Sequence, residues 1–317
     1  MRTAHSGVYS NQLRFSGEEG VPLATMDVSP LPSRVWNRLR RSRAVQRALV
    51  PFGRDLKPDR WIFIVGCYNS GTTLLNAILS THDRIGGLDC EGVVLTDALP
   101  RPEEFGWTRM WYRCFDQMRL EPGAGMKERA HRVKRQWSFS YPRNPTNLLE
   151  KSIVNAARIP FLDAYFRPAH FIYLVRDGYA VAEGIRRKAE PARWDHPIYE
   201  DDYPIELCAE QWKKTDEVVR QDREEVDHFL RIHYEELTSV PKSAIKKITD
   251  FLGVEPIDES KLQGRWNVHG YGKSIQNMNP RSYARLTTKD VEAIEQVAGS
   301  VLRSYGYDRP QKSREGR

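Results

Sequence analysis

The sequence predicts an α/β fold in which helices flank a central parallel β-sheet. Short apolar runs of strand length alternate with helical segments over most of the chain from residue 61 onward. The first run, residues 61–66, leads into a glycine-bounded polar loop and then into a helix. Two later runs end directly at a basic residue, Lys151 and Arg176. Because ligands of parallel sheets bind at the carboxyl ends of the strands, this pattern predicts a single ligand-binding rim.

The composition suits one large domain with extensions. The chain has 317 residues, of which 40% are hydrophobic and 10% aromatic, enough to bury a large core. Its net charge of +7 fits an anionic ligand, nucleic acid or a membrane surface without choosing among them. The 4 cysteines form no C-x-x-C pair, so neither a zinc site nor a disulfide framework is indicated, and a reducing cytoplasmic environment is expected. No stretch approaches the roughly 18 consecutive apolar residues of a membrane span, and we expect a soluble protein.

An N-terminal extension, residues 1–58, precedes the first strand. Residues 1–32 show no period and are expected to form a loosely held arm. Residues 33–50 place apolar side chains on one helical face and arginines over most of the rest, which predicts a basic amphipathic helix. We favour a helix that packs on its own domain and keeps a solvated basic face. The other interpretation is a helix that lies on an anionic membrane surface or docks an acidic partner.

The polar loop after the first strand is predicted to bind an anion. Gly66 and Gly71 allow positive φ and a close approach of the backbone to a ligand. The N–H groups at the following helix start lack intrahelical partners and favour an anion there. The glycine spacing is that of a nucleotide P-loop, but Thr72 stands where a Walker A loop has lysine. The loop therefore predicts a phosphate or sulfate site without the cation that neutralises a γ-phosphate.

Residues 100–145 interleave aromatic and basic side chains, and two interpretations of this segment stay open. In the first, the segment lines an acceptor groove for a sugar or a peptide. In the second, it is a helical lid whose aromatic residues belong to the core and whose cations are solvated.

The rest of the chain forms a regular series of strands and helices. Strands are predicted at 85–88, 147–150, 170–175 and 228–234, and helices at 73–79, 155–166, 179–189, 204–226 and 288–304. A pair of helices that start at Glu236 and Pro241 is predicted to end at Gly253. Strands that alternate with helices imply right-handed crossovers between parallel neighbours. We therefore expect one domain over residues 59–308, followed by a polar tail over residues 309–317.

Four short motifs in order resemble one family, the sulfotransferases that use 3′-phosphoadenosine 5′-phosphosulfate (PAPS). The loop from Ser70 to Leu75 resembles the 5′-phosphosulfate loop of that family. Residues 171–182 resemble its 3′-phosphate strand and helix, with Arg176 in the phosphate-binding position. Residues 231–238 resemble its later Tyr-Glu-Asp-Leu segment, and residues 251–253 match a further marker. The resemblance spans most of the chain and is closer to the protein-tyrosine and carbohydrate type than to the cytosolic small-molecule type.

The resemblance implies a P-loop nucleotide-binding-like sulfotransferase fold and transfer of a sulfuryl group from PAPS to a hydroxyl or amine, leaving 3′-phosphoadenosine 5′-phosphate (PAP). The implied acceptor is a carbohydrate, a tyrosine-containing peptide or a lipid headgroup, and neither a metal nor a nucleic-acid partner is implied. Glu91 is the candidate base, with Asp89 as the alternative, and Lys151 is the candidate for stabilising charge on the bridging oxygen. The candidate donor-binding residues are Asn69, Ser70, Gly71, Thr72, Thr73, Arg176, Tyr234 and Ser282.

The chain departs from the family pattern directly before the Ser-Gly-Thr loop. Members commonly carry lysine or arginine there, whereas this chain has Asn69, a neutral donor. We expect Lys151 or Arg158 to take over part of that charge, or turnover to be slow.

A second departure lies in the helix after Arg176. The family usually has serine at the position that Gly184 occupies here. A hydroxyl contact to the 3′-phosphate would then be absent, which leaves Arg176 with Arg186 or Arg187 to hold that group. Farther along, residues 270–274 and 281–282 align loosely with donor contacts.

Two other functions stay open at this level. A P-loop kinase or NTPase is disfavoured by Thr72 at the Walker lysine position. A non-catalytic relative that binds a nucleotide or a glycan is made plausible by Asn69 and Gly184.

Overall fold

Five parallel strands form the central sheet of the computed structural model. They are β1 (Arg60–Gly66), β2 (Ile85–Gly87), β3 (Asn147–Glu150), β4 (Ala169–Val175) and β5 (Phe229–His233). Their order is β2-β3-β1-β4-β5, and each neighbouring pair is parallel. The chain leaves β1 toward β2 on one side and leaves β4 toward β5 on the other. The strand order therefore reverses between β1 and β4, where parallel sheets open a crevice for ligands.

The structure describes residues 33–194, 196, 198–262, 264, 266–268 and 271–310. The predicted arm over residues 1–32, residues 311–317 of the predicted tail and Gly270 lie outside the described residues.

The central strand β1 is buried on both faces, as its continuous apolar sequence predicts. Ile62, Phe63 and Ile64 are fully buried. Phe63 packs in the larger hydrophobic core on one face of the sheet, and Ile62 and Ile64 pack in the smaller core on the other. Layers on both faces are what an all-parallel sheet requires, and the predicted α/β fold is confirmed.

The helices flank this sheet. They are α1 (Ser33–Leu39), α2 (Arg43–Leu49), α3 (Thr72–Leu79), α4 (Phe115–Met118), α5 (Met126–Trp137), α6 (Ile159–Tyr165), α7 (Gly178–Ala189), α8 (Ile205–Asp222), α9 (Tyr234–Ser239), α10 (Pro241–Leu252), α11 (Glu259–Leu262), α12 (Asn279–Tyr283) and α13 (Thr288–Ser304). An antiparallel pair, β6 (Trp266–Val268) and β7 (Tyr271–Lys273), completes the described elements. None of the helices in the described ranges is long and apolar enough to cross a membrane.

Three predicted helices differ from the observed ones. The helix predicted over residues 204–226 ends at Asp222, where a 3-10 turn, Arg223–Glu225, follows. Residues 33–50 form two short helices instead of one, because the chain turns out of the helix at Arg40 and starts again after Ser42, whose backbone is extended. Residues 155–166 begin as a 3-10 turn, Ile153–Ala157, and the α-helix starts only at Ile159. Proline at the second helical position suits a helix start better than a helix interior.

The N-terminal helices pack on the domain through their basic residues. Three arginines pair with carboxylates that lie beyond the first strand. These pairs are Arg40–Asp89, Arg43–Glu104 and Arg47–Asp97. Gln46 is buried and donates a 2.9 Å hydrogen bond to the carbonyl of Val94. The favoured interpretation, a helix packed on its own domain, therefore accounts for half of the six arginines in residues 33–50.

Several of the aromatic residues between 100 and 145 belong to the core. Trp111 and Trp137 are fully buried and Tyr141 nearly so. Trp107 and Tyr112 are only partly buried and pack on the edge of the same core. The most buried aromatics therefore belong to the core, whereas Trp107, Tyr112, Phe115 and Phe139 keep part of their surface and Phe105 is 42% exposed.

Candidate active site

The loop between β1 and α3 has the conformation that an anion site needs. Two residues have positive φ, Asn69 at 61° and Gly71 at 91°. A Cβ atom at Gly71 would lie 2.6 Å from Cδ2 of Tyr234, so only glycine fits there. The first hydrogen bond of α3 runs from Leu75 N–H to the Gly71 carbonyl at 3.1 Å. The N–H groups between these two residues form the open N-terminus of the helix.

The same loop carries buried donors without acceptors. Ser70 is 1% exposed, and its Oγ has no hydrogen-bond partner within the described part of the chain. Nδ2 of Asn69 is also buried and unpartnered there. A buried donor without a partner costs about 1–3 kcal/mol, and a bound anion would remove that cost. The residues present therefore fit a phosphosulfate at the start of α3.

Arg176 lies beside this loop, although it follows a different strand. β4 pairs with β1 up to Gly66 and Leu174, so the two strand ends are adjacent. Nη1 of Arg176 donates to the carbonyl of Asn69, and Nε donates to Oδ1 of Asn279 at 2.8 Å. The predicted phosphate arginine and the predicted phosphosulfate loop are thus in direct contact.

Tyr234 joins the loop to the C-terminal part of the domain. Its ring contacts Gly71, and the guanidinium of Arg176 lies 4.3 Å from the ring centroid. The hydroxyl donates to the Gln276 carbonyl and accepts from the Met278 N–H, both at 3.1 Å. Tyr234 is 4% exposed, so it is packed between the loop and the C-terminal segment.

The remaining residue predicted to bind the sulfuryl donor, Ser282, follows Gln276 and Met278 in the chain. Ser282 lies on α12 and is 6% exposed. The same helix supplies Asn279 to Arg176 and Tyr283 to the carboxylate of Asp177, at 2.9 Å. α12 is therefore tied to the arginine motif at the end of β4.

Helix α7 presents Gly184, but neither Arg186 nor Arg187, to the loop. Arg186 forms a two-bond ion pair with Asp290, at 2.6 and 3.1 Å. Arg187 pairs with Glu183 at 2.8 Å. Both guanidinium groups are therefore paired with carboxylates of the fold, and the expectation that one of them helps to hold the 3′-phosphate stays a prediction.

Sequence reasoning missed two cations near the loop. Lys188 follows Gly184 by one helical turn and so shares its face of α7. Burial first, and then the nearby cations Arg109, Arg187 and Arg176, together lower the pKa of Lys188 to about 8. Neither Lys188 nor Arg109 forms an ion pair with any described residue. The helical period alone would have placed Lys188 on the same face as Gly184, so the sequence could have indicated this cation.

Arg109 reaches the site from the long connection between β2 and β3. Its guanidinium lies 5.7 Å from the ring centroid of Tyr68, which directly precedes Asn69. Its φ of 56° is uncommon for a residue other than glycine and often marks a functional position. Burial and the carboxylates of Glu103 and Glu91 raise the pKa of Tyr68. Tyr68 and Arg109 thus lie together next to the loop, within the electrostatic reach of Glu91.

Glu91 and Lys151 form an ion pair at the same edge of the sheet. Nζ of Lys151 lies 2.9 Å from Oε1 of Glu91, and Lys151 directly follows β3. The side chain of Glu91 is 32% exposed, which leaves it open to a ligand. Asp89, the alternative base, instead pairs with Arg40 and is largely exposed. The geometry thus favours Glu91 of the two carboxylates.

Arg158 is buried inside the fold near this site. It is fully buried and donates to the carbonyls of Met118, at 3.1 Å, and Pro100. The guanidinium thus links two connecting segments, and its expected contribution of charge to the loop stays a prediction.

A family model and several known proteins match this chain. A model described as "Sulfotransferase family" matches residues 61–259. Protein-tyrosine sulfotransferase 1 of Danio rerio is 28% identical over 248 residues, which cover 76% of this chain and 66% of that protein. Omega-hydroxy-beta-dihydromenaquinone-9 sulfotransferase Stf3 of Mycobacterium tuberculosis is 23% identical over 330 residues, covering 87% of this chain and 80% of that protein.

One solved structure shows the same fold. It is that of sulfotransferase STF9 from Mycobacterium avium, with a TM-score of 0.53, 15% identity and coverage of 90% of both chains. The chain thus spans about two thirds of the zebrafish relative and most of the two mycobacterial ones.

Proposed function

This chain belongs to the sulfotransferase family, and on that premise we propose that it transfers a sulfuryl group from PAPS to an acceptor hydroxyl or amine, leaving PAP. The observation that carries the proposal is the position of the Glu91–Lys151 pair. β3, which precedes Lys151, is the neighbour of β1, which precedes the loop. A base, a cation and an anion cradle therefore meet at one sheet edge, as in-line transfer between oxygens needs.

The donor-binding residues divide into two groups by position. Ser70, Thr72 and Thr73, with the open N–H groups of α3, suit the 5′-phosphosulfate. Arg176 and Lys188 suit the 3′-phosphate, since Arg176 follows β4 and Lys188 is a cation of α7 for which no ion pair with a described residue is seen. Gly71 lets the backbone come close, and Tyr234 and Ser282 border the same cleft from the C-terminal part.

The transfer itself needs one proton acceptor and one cation. Glu91 accepts the proton of the acceptor hydroxyl while that oxygen forms its bond to sulfur. The bond between sulfur and the bridging phosphate oxygen breaks, and its electron pair stays on the phosphate. Lys151 donates a hydrogen bond to that oxygen and stabilises its charge. The ion pair at 2.9 Å holds both groups in place before the substrates arrive.

The acceptor is proposed only as a class. The zebrafish relative is named for protein tyrosine and the mycobacterial one for an omega-hydroxylated menaquinone, and both acceptors present a hydroxyl. A hydroxyl of a peptide, a lipid or a carbohydrate is therefore the proposed substrate, and no nucleic acid is required. Transfer is also proposed to need no metal, so excess EDTA is expected to leave the rate unchanged.

Location is a further part of the proposal. All four cysteines are free, which suits the reducing cytoplasm. Val35 and Leu39 on α1 are 44% and 38% exposed beside Arg38 and Arg41, for which no ion pair with a described residue is seen. Peripheral membrane contact through residues 33–50 is proposed on that surface. Co-sedimentation with anionic vesicles tests it, and equal binding by an Arg38→Glu/Arg41→Glu variant would refute it.

The experiment that tests the activity follows the sulfuryl group. The protein is incubated with PAPS and a panel of peptides, hydroxylated lipids and saccharides, and mass spectrometry detects the mass gain of one sulfuryl group. Transfer to any acceptor, with release of PAP, supports the proposal. Binding or hydrolysis of ATP with Mg²⁺ in preference to PAPS would favour the kinase or NTPase alternative. PAP binding without transfer to any acceptor would favour a non-catalytic relative.

A further inference from the structure

The two departures from the family pattern, Asn69 and Gly184, contact each other. A Cβ atom on Gly184 would lie 3.0 Å from Cβ and Cγ of Asn69 and 3.1 Å from its Nδ2. Contacts this short are tighter than ordinary van der Waals packing, so a serine at position 184 fits only if Asn69 moves. The Asn69 side chain thus fills the space that a side chain at position 184 would take.

The backbone of Asn69 explains why this side chain can lie there. Its φ of 61° is left-handed, a conformation in which asparagine is enriched and which long or bulky side chains enter less readily. Its carbonyl accepts a hydrogen bond from Nη1 of Arg176. Asn69 is therefore fixed between the arginine at the end of β4 and the face of α7 that carries Gly184.

The amide of Asn69 is free to bind a ligand. Nδ2 is buried and has no acceptor among the residues that the structure describes. The amide can therefore turn toward a phosphate oxygen without breaking a hydrogen bond to any of them. A cation at position 69 would instead add positive charge beside Arg176 and Lys188, the second of which already has a lowered pKa.

We propose that the Asn69 carboxamide binds the 3′-phosphate of PAPS and PAP and takes the place of the hydroxyl that is absent at position 184. The inference rests on the proposed function, since it requires that nucleotide in the cleft. Under this proposal Asn69 contacts the 3′-phosphate of the donor, and not the sulfuryl group at the other end. Asn69 therefore does not take over the task of the lysine or arginine that the family has at this position. It serves instead as a neutral hydrogen-bond donor next to Arg176.

The test compares two nucleotides that differ in one group. Isothermal titration calorimetry measures the affinity of PAP, which has the 3′-phosphate, and of AMP, which lacks it. We expect Asn69→Ala to weaken PAP about tenfold and to leave the affinity of AMP within about twofold. Normal AMP binding also shows that the variant is folded.

A double-mutant cycle with position 184 makes the test specific. Gly184→Ser alone is expected to weaken PAP, because serine crowds Asn69. In the Asn69→Ala background the serine has room and supplies a hydroxyl, so the double variant is expected to bind PAP at least about fivefold more tightly than Asn69→Ala.

Three results would overturn the inference. They are equal loss of PAP and AMP affinity in Asn69→Ala, unchanged PAP affinity in that variant, and additive effects in the double variant. A wild-type protein that does not bind PAP at all would instead refute the proposed function, so the two failures are distinguishable.

Discussion

The carboxylate of Glu150 accepts a 2.8 Å hydrogen bond from the N–H of Gly92, the residue after Glu91. Glu150 is fully buried, and burial raises its pKa. On the other side, Nε1 of Trp137 donates to the Gly92 carbonyl at 2.8 Å. A Cβ atom at Gly92 would lie under 3 Å from both partners. The position of the candidate base is therefore set by buried groups on both sides of its neighbour.

Removal of the Glu150 carboxylate is expected to lower kcat by about tenfold or more and to leave PAP affinity within about twofold, because the base is displaced while the donor site is not. Glu150→Ala tests this. Hydrogen exchange measured by mass spectrometry should show faster exchange of the Gly92 amide. Unchanged exchange and an unchanged kcat would show that Glu150 does not position Glu91.

The matched control is Glu150→Gln. Its amide oxygen can still accept from the N–H of Gly92. The new NH₂ would face Nδ2 of Asn155, which donates to Glu150 in the wild type. A flip of the Asn155 amide brings Oδ1, which has no partner among the described residues, into position to accept from that NH₂. We expect kcat within about threefold of the wild type. A loss as large as that of the alanine variant would mean that the charge, and not the hydrogen bond, is what matters.

Glu91→Ala is expected to lower the transfer rate by about 10²–10⁴, the range for loss of a general base, while PAP binding persists. Transfer is measured with the acceptor found in the screen, and PAP binding by calorimetry. Asp89→Ala is the control, because Asp89 pairs with Arg40 away from Lys151. Full activity of Glu91→Ala, or a larger loss in Asp89→Ala, would show that the base is assigned wrongly.

Arg176→Ala is expected to weaken PAP binding by at least about 1.5 kcal/mol, the low end for a charge-assisted contact. The effect on AMP should be smaller, because AMP has no 3′-phosphate. Arg187→Ala serves as the control on the same side of the molecule, since Arg187 pairs with Glu183. Equal PAP affinity in wild type and Arg176→Ala would remove Arg176 from the phosphate site.

Lys188 is expected to make PAP binding pH-dependent. Its pKa is lowered to about 8, so the lysine is charged below that pH and loses its proton above it. PAP favours the charged form, and affinity should therefore be constant from pH 7 to about 7.5 and fall as the pH rises through 8 toward 9.5. Calorimetry across this range measures the effect.

Two variants separate Lys188 from other titrating groups. Lys188→Arg stays charged and should bind PAP with little pH dependence, whereas Lys188→Ala should bind weakly at every pH. A fall in affinity above pH 8 that persists in both variants would assign the titration to another group.

Much of the fold was predictable because it rests on local patterns. The strand over residues 147–150 matches the prediction, and so does the helix over residues 288–304, which starts at a capping box formed by Thr287 and Asp290. Buried parallel strands are continuous apolar runs, which sequence alone reveals. Because the carboxyl ends of parallel strands meet at one edge of the sheet, the sequence also predicted that Glu91, Lys151 and Arg176 lie at one rim, and they do.

The rest depends on contacts between distant parts of the chain. Asn69 and Gly184 are each unusual in sequence, but their contact appears only once β1 and β4 are paired and α7 is packed beside them. Arg109 comes from a long connection with no period that would indicate its direction. Glu150 looked like the last residue of a strand, and its role behind Gly92 depends on its complete burial.

The pairing of α1 and α2 with the domain has a consequence for where the protein can be cut. Arg40, Gln46 and Arg47 all bind the stretch from Asp89 to Asp97, in which the candidate base lies. A fragment that starts at residue 59 would keep every predicted catalytic and donor-binding residue and still lose the support of that stretch. Truncation at that boundary should therefore impair turnover more than nucleotide binding, and a fragment that keeps α1 and α2, starting at residue 33, is expected to keep its turnover.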